Sequence, residues 1–343
     1  MDERRLTELL GRTGAARILV VGDFFLDRYL LIDPALAEIS VETGLEARQV
    51  TDVVAAPGAA GTVTANLRAL GAQVTALGVV GDDGEGYELR RGLRAAGVDD
   101  GALVVAAGRR TPTYTKPMVR EPGAAPRELE RLDIRTRAPM PAEAVDAVLV
   151  RLRALAAGAD AVVIADQMPE AEHGVITSRV REAIAALARE RPGVPFLADS
   201  RARIGLFRGI IAKPNMRECV AAVFPGQEER ADQTLAREAG EELRRRTGCP
   251  VLVTLSGDGM LVVEEGSAAL VPALPVRVPI DVVGAGDSVM AAVAAGLCAG
   301  ATLGEAAQIG MLAASVTISQ LGTTGTASPG QILDRWRSEQ RYG

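Results

Sequence analysis

The segment PIDVVGAGDSVMAAVAAG, residues 279 to 296, carries the sharpest chemistry in the chain. Gly284-Ala285-Gly286 can take backbone conformations closed to larger residues, and the apolar run after Asp287 reads as a helix that starts at that turn. Successive main-chain amides at such a start point at one spot. That spot binds a phosphate and stabilises charge building on a phosphoryl group in transfer. Asp287, in the first helical turn, is placed to take a proton from an alcohol. The plainer reading is a helix capped by an aspartate after a glycine turn. In KPNMRE, Asn215 and Glu218 join an amide to a carboxylate, a pair that can organise a mostly water-coordinated Mg²⁺ or simply begin a helix. Thr254, Ser256, Gly257 and Gly259 lie where a strand runs into a turn, and Asp27 stands four residues past Asp23 after the first strand.

Other chemistries are excluded by residue type. Of 38 basic side chains only Lys116 and Lys213 are lysines, and neither follows a glycine, so no Gly-Lys-Ser/Thr phosphate loop is present. His173 is the single histidine, which removes two-histidine zinc sites and leaves any serine-histidine-aspartate triad to that residue alone. Cys219, Cys249 and Cys298 are odd in number and far apart, which suggests neither a disulfide framework nor a thiolate metal site and fits a reducing cytoplasm. A net charge of −6 and ten aromatic residues in 343 give no basis for nucleic-acid binding. The N-terminus has no secretory pattern, and the apolar tract from Ser288 to Leu303 is too short for a bilayer, so a cytoplasmic chain without a membrane partner is expected.

The elements that must position these groups alternate. Short β-branched runs at 17–23, 74–81, 160–166, 194–200, 209–215 and 250–259 are separated by longer Ala/Leu/Arg patterns with helical spacing. Strands apolar on both faces, with helices between them, predict an α/β fold: a doubly wound, mostly parallel sheet flanked by helices. Two stretches break the alternation, at about 28–56 and 110–135, where TPTYTKPMV and RELERLDI read as half-exposed strands. They are expected to form a small β lid over the carboxyl edge of the sheet. The Pro/Gly-rich EPGAAP loop interrupts the second of them, and no stretch reads as an interdomain linker, so residues 1–343 are expected to form one domain.

The run from Asp281 to Ala294 resembles the signature of the ribokinase-like (PfkB) sugar kinases: Asp, two residues, Gly-Ala-Gly-Asp and then small residues. Similarity extends from about 17 to 330, through GDFFLD, GAAGTVTANLRALGA with VVGDDGEG, KPNMRE, VTLSGDG and LGTTGTAS. GDFFLDRY and ISVE are most similar to the heptose-phosphate kinases of the ADP-heptose pathway. The resemblance implies a ribokinase-like fold, ATP and Mg²⁺, and a small-molecule sugar substrate, with a homodimer formed through the lid. It implies that Asp287 is the base, that Gly284, Ala285 and Gly286 form the anion hole, and that Asn215 and Glu218 serve magnesium and phosphates. Thr254, Ser256, Gly257 and Gly259 would then line the nucleotide, and Asp27 would hold sugar hydroxyls.

The chain departs from that pattern on the acceptor side. The family's Gly-Gly pair and following Asn become Gly58-Ala59 and Thr62, and the Asp-Tyr-x-Lys-Gly segment becomes Asp166-Gln167-Met168-Pro169-Glu170, with no lysine. Arg201 and Arg203 are candidate replacement cations for a phosphorylated acceptor. The family's late Asn near the adenine has no counterpart around Met311. Two altered segments on the acceptor side favour a neutral or unusual acceptor. A nucleoside or vitamin-precursor kinase, and a regulator that binds without turnover, are the alternatives.

Overall fold

The computed structural model describes residues 1–121, 123, 127–322 and 324–342. Part of the EPGAAP loop and of LGTTGTAS therefore falls outside the described residues. An eight-stranded sheet runs, from one edge to the other, Ser267–Val271, Met260–Glu264, Val251–Thr254, Ile211–Ala212, Phe196–Ser200, Ala161–Asp166, Arg17–Gly22 and Gln73–Leu77. Six strands are parallel, and the last two in sequence form an antiparallel hairpin on one edge. That hairpin was not expected from the sequence. Its strands have five residues each and turn at Gly266, whose φ of +70° suits glycine.

Side chains along each strand alternate between two cores. In Arg17–Gly22, Ile18 and Val20 pack with helices Ala60–Ala69, Ala285–Cys298 and Leu303–Thr317, whereas Leu19 and Val21 face Ala142–Ala156, Ser178–Glu190 and Gln233–Thr247. A sheet covered on both faces explains why its strands read as continuous apolar runs.

The expected strand at 74–81 is two strands. Gln73–Leu77 belongs to the main sheet, while Val79–Gly81 pairs with Val104–Ala106. The break falls at Gly78, where a β-carbon would lie 2.6 Å from the Phe24 ring and 2.8 Å from the Gly22 carbonyl oxygen. The run at 209–215 is shorter than expected, contributing only Ile211–Ala212 to the sheet.

The lid is a second sheet of five strands. Phe24–Ile32 sits between Val50–Ala59 and Thr113–Val119, and Arg127–Glu128 and Leu132–Ile134 pair with the last of these. Its first strand begins at Phe24 and its second ends at Ala59, so the lid is broader than the sequence suggested and reaches the main sheet at Asp23.

Candidate active site

Five parallel strands end on one side, and the residues at or just past their ends converge: Asp23, Gln167, Arg201, Lys213 and Thr254. Two adjoining pockets lie there. The larger, about 600 Å³, is lined by Lys213, Asn215, Glu218, Thr254, Ser256, Gly257, Gly259 and the Gly284–Asp287 turn. The smaller, about 230 Å³, is closed by the lid and lined by Asp27, Ala59, Thr62, Tyr114, Lys116 and Arg131. Gln167, Arg201, Gly284 and Asp287 line both.

The turn takes the form its glycines allow. Gly284 has φ +78° and caps helix Ala285–Cys298, with Asp287 in the first turn. The amides of Gly286 and Asp287 are among the first donors of that helix, which concentrates positive potential at the junction, whereas the Ala285 amide, expected to serve the anion hole, donates to the Val282 carbonyl oxygen at 3.2 Å. Burial and the neighbouring Asp199 push Asp287 up to about 7, against the pull of Lys213 and Arg201. A carboxyl tuned there can accept a proton near neutral pH.

Lys213 is buried among acids. Its Nζ lies 2.7 Å from Asp199, and a β-carbon on Gly286 would sit 3.5 Å from it. Burial works against the ammonium, but Asp199, with Glu218 and Asp287 beyond, outweighs it and holds the pKa above the ordinary lysine value. Asn215 caps helix Met216–Val223: its side-chain oxygen accepts from the Glu218 amide, and the Glu218 carboxylate accepts from the Asn215 amide, each at 2.9 Å. Burial, then Asp199, raises Glu218 to about 7. Among the described residues no group of three or more His, Cys, Asp or Glu side chains could hold a metal. The donor set therefore fits a magnesium ion carried mainly by nucleotide phosphates and water, with Glu218 contributing at most one carboxylate.

On the lid side, the Lys116 ammonium lies 3.5 Å from Asp27 and donates to the Tyr29 hydroxyl at 3.1 Å. Asp27 is pushed above its ordinary value by burial, with Lys116 pulling the other way. Gly58 does not line the pocket. Its part is to leave room, since a β-carbon there would come within 2.2 Å of the Asp27 carboxylate. Ala59, where the family pattern has glycine, is held at φ +53° and ψ −118°, a conformation that strains a residue with a β-carbon. Thr62 lines the same pocket from helix Ala60–Ala69.

Arg203 is a correction. It lines neither pocket; its guanidinium pairs with the fully buried Asp166, 2.5 Å away, and donates to the carbonyl oxygens of Met168 and Pro169. A buried carboxylate needs a counter-ion, and Arg203 supplies it. Asp23 secures the same loop from the other side, accepting from the amides of Gln167, Met168 and Val175.

Lys116, Lys213, Tyr114 and Arg131 were not singled out from the sequence as site residues. Arg131 stacks on Tyr114 with its guanidinium carbon 4.6 Å from the ring centre and pairs with Asp133. The one available signal was composition: the only two lysines of the chain both line the pockets.

Comparison with known proteins gives this site a family. A model described as "pfkB family carbohydrate kinase" matches residues 16–121 and 209–329. The "Bifunctional protein HldE" of Pelobacter propionicus is 34% identical over 97% of this chain, which spans 66% of that protein's length. The protein of the same name from Alkalilimnicola ehrlichii is 36% identical over 96% of this chain and 65% of its own. Phosphofructokinase-2 from Escherichia coli, solved with fructose-6-phosphate, superposes with a TM-score of 0.70 at 21% identity, over 95% of this chain and all of the other. Arabidopsis thaliana ribokinase, solved with ribose and ATP, gives 0.66 at 17% identity over 93% and 98% of the two chains. Both solved structures share the ribokinase-like fold, and the match of the family model over most of the sequence decides the classification: the chain belongs to the pfkB family of carbohydrate kinases.

Proposed function

We propose that the chain transfers the γ-phosphoryl group of ATP to a hydroxyl of a phosphorylated sugar, with Asp287 as general base. The observation that carries this reading is the meeting of the two pockets at one carboxyl group and one helix N-terminus. A donor in the larger pocket and an acceptor in the smaller would face each other across Asp287. The acceptor oxygen attacks the γ-phosphorus as its proton passes to Asp287, and the bond to the β–γ bridging oxygen breaks to release ADP. The Gly286 and Asp287 amides at the helix start and Lys213 supply positive charge where the equatorial oxygens gather it. Mg²⁺, when bound with the nucleotide, neutralises its phosphates; Asn215 and Glu218 would order its waters. Thr254, Ser256, Gly257 and Gly259 would pack along the nucleotide between its phosphates and its base. The described residues act in this reading as one catalytic unit, with the lid excluding water.

The acceptor's class is revised from the sequence expectation. The altered segments favoured a neutral or unusual acceptor, but the smaller pocket is lined by three cations, Lys116, Arg131 and Arg201, against the two carboxylates Asp27 and Asp287. That balance favours an anionic acceptor, and the GDFFLDRY and ISVE segments, similar to those of the heptose-phosphate kinases, favour a heptose phosphate among sugar phosphates. Turnover of ATP with a panel of neutral sugars, hexose phosphates and a heptose phosphate tests this. Efficient use of neutral sugars alone would return the acceptor to the earlier expectation. No turnover with any member would favour a binding protein.

A further inference from the structure

Resting on the kinase reading, we infer that the donor site reads its base by thickness and apolar contact rather than by edge hydrogen bonds, so that purine nucleotides with either a 6-amino or a 6-oxo group serve.

The larger pocket has two chemically distinct ends. Near the acceptor it gathers its charged side chains around Lys213 and Asp287. At the far end its wall continues into a neighbouring cavity that shares Pro275, Val276 and Ser315 with it and shares no lining residue with the acceptor pocket. A nucleotide with its phosphates at the Gly284–Asp287 turn therefore places its base at this far end. There the slot is faced by Leu274, Val276 and Ile280 on the strap after the edge hairpin and by Met311, Ala314 and Ile318 on and just beyond helix Leu303–Thr317. Ile280 is half exposed, an apolar side chain at the mouth of a cleft that a flat ring would cover.

The polar side chains on this stretch are Ser315 and, beyond it, Ser319, and their hydroxyls already donate to the Leu312 and Val316 carbonyl oxygens, each at 2.7 Å. Within the larger pocket itself no amide, carboxylate or cationic side chain among the described residues lines this end; the neighbouring cavity beyond it carries Arg277, Arg335 and Glu339, of which Arg335 is committed to Glu339 and to the Pro275 carbonyl oxygen. Sites built to hydrogen-bond a substrate group reject analogues by large factors because their own polar atoms are left unpaired. Apolar slots cannot reject an isostere strongly. Adenine and hypoxanthine have nearly the same shape, with donor and acceptor exchanged at positions 6 and 1. They are the pair that separates the two modes.

The strap is held in place independently of any nucleotide. Arg335 of the C-terminal helix donates to the Pro275 carbonyl oxygen at 2.7 Å, and Gly259, at φ +110°, lets the chain at Val271 to Ala273 pass within contact of the turn before it. A β-carbon at Gly259 would fall 2.1 Å from the Val271 carbonyl oxygen. The slot is thus set by backbone packing, as a thickness-reading site requires.

Titration calorimetry with ADP and with IDP, each with Mg²⁺, tests the inference without an acceptor. Dissociation constants within about tenfold of each other are expected. A larger loss with IDP would mean that a main-chain group reads the 6-position, and would overturn it. Ile280→Ser should weaken both nucleotides severalfold without changing their ratio; unchanged affinity would place the base elsewhere and overturn it as well. If neither nucleotide binds, the kinase reading fails together with the inference. If both bind alike but no sugar is phosphorylated, only the acceptor assignment fails.

Discussion

At the Asp287 carboxyl, stability and chemistry make opposite demands. Its pKa is raised from 3.8 to about 7, so the folded state holds a proton that the unfolded chain releases near pH 4. The stability tied to that proton is complete below the unfolded value and is lost as pH rises to about 7 and beyond. Catalysis as proposed needs the deprotonated form, so activity should rise with pH through about 7. Asp287→Asn removes both effects. We expect kcat to fall at least about a hundredfold with ATP affinity within severalfold of wild type, and the melting temperature to rise by a few degrees at pH 8 but not at pH 4. Steady-state kinetics and calorimetric melts at the two pH values check this, and near-normal turnover would remove Asp287 as the base.

Among the elements, the loop from Asp166 to Val175 separates two arginines that the sequence could not tell apart. Arg201 lines both pockets, whereas Arg203 is committed to Asp166 and two carbonyl oxygens. Arg203→Ala should destabilise the fold by about 3–5 kcal/mol, since it leaves a buried carboxylate unpaired. Arg201→Ala should leave the melting temperature near wild type and raise the KM for a phosphorylated acceptor, with little change in that for ATP. Thermal melts beside kinetics decide it, and the reverse pattern would exchange the two roles. The confusion has a physical source. Both arginines follow the same strand end, but the claim on Arg203 comes from Asp166, 37 residues away in sequence. What sequence does carry is local: the Gly284–Asp287 turn ahead of an apolar helix, the Asn215–Glu218 cap, and the alternation that makes the doubly wound sheet. Lys116 and Tyr114 were hidden because they enter from a lid strand, and Arg131 because it stands just before another; a half-exposed pattern shows a strand but not which pocket it closes. The split at Gly78 was hidden for a related reason, being imposed by the Phe24 ring from another strand.

Over the whole molecule, the lid leaves apolar surface bare. Ile39 and Leu45 are more than 60% exposed, and Val50, Val53 and Val54, on the outer strand of the lid sheet, are each nearly half exposed. An uncovered edge strand with this composition invites a second copy. Sedimentation at micromolar concentration should therefore give a homodimer, and Val53→Asp should shift it to monomer; a wild-type monomer would end this reading. No helix of the described residues is long and apolar enough to cross a membrane. The near-absence of lysine has one more consequence. In most proteins acylating agents are diluted over many surface amines, whereas here the side-chain amines are two. Both lie at the pockets, and each is followed by a proline that keeps its backbone extended. Arginine, which carries almost all the surface positive charge, does not acylate under the same conditions. Covalent labelling of this chain is thus limited by its composition: both side-chain amines are held protonated beside carboxylates, Lys213 buried against Asp199 and Lys116 next to Asp27, so an amine-directed reagent meets the α-amino group first.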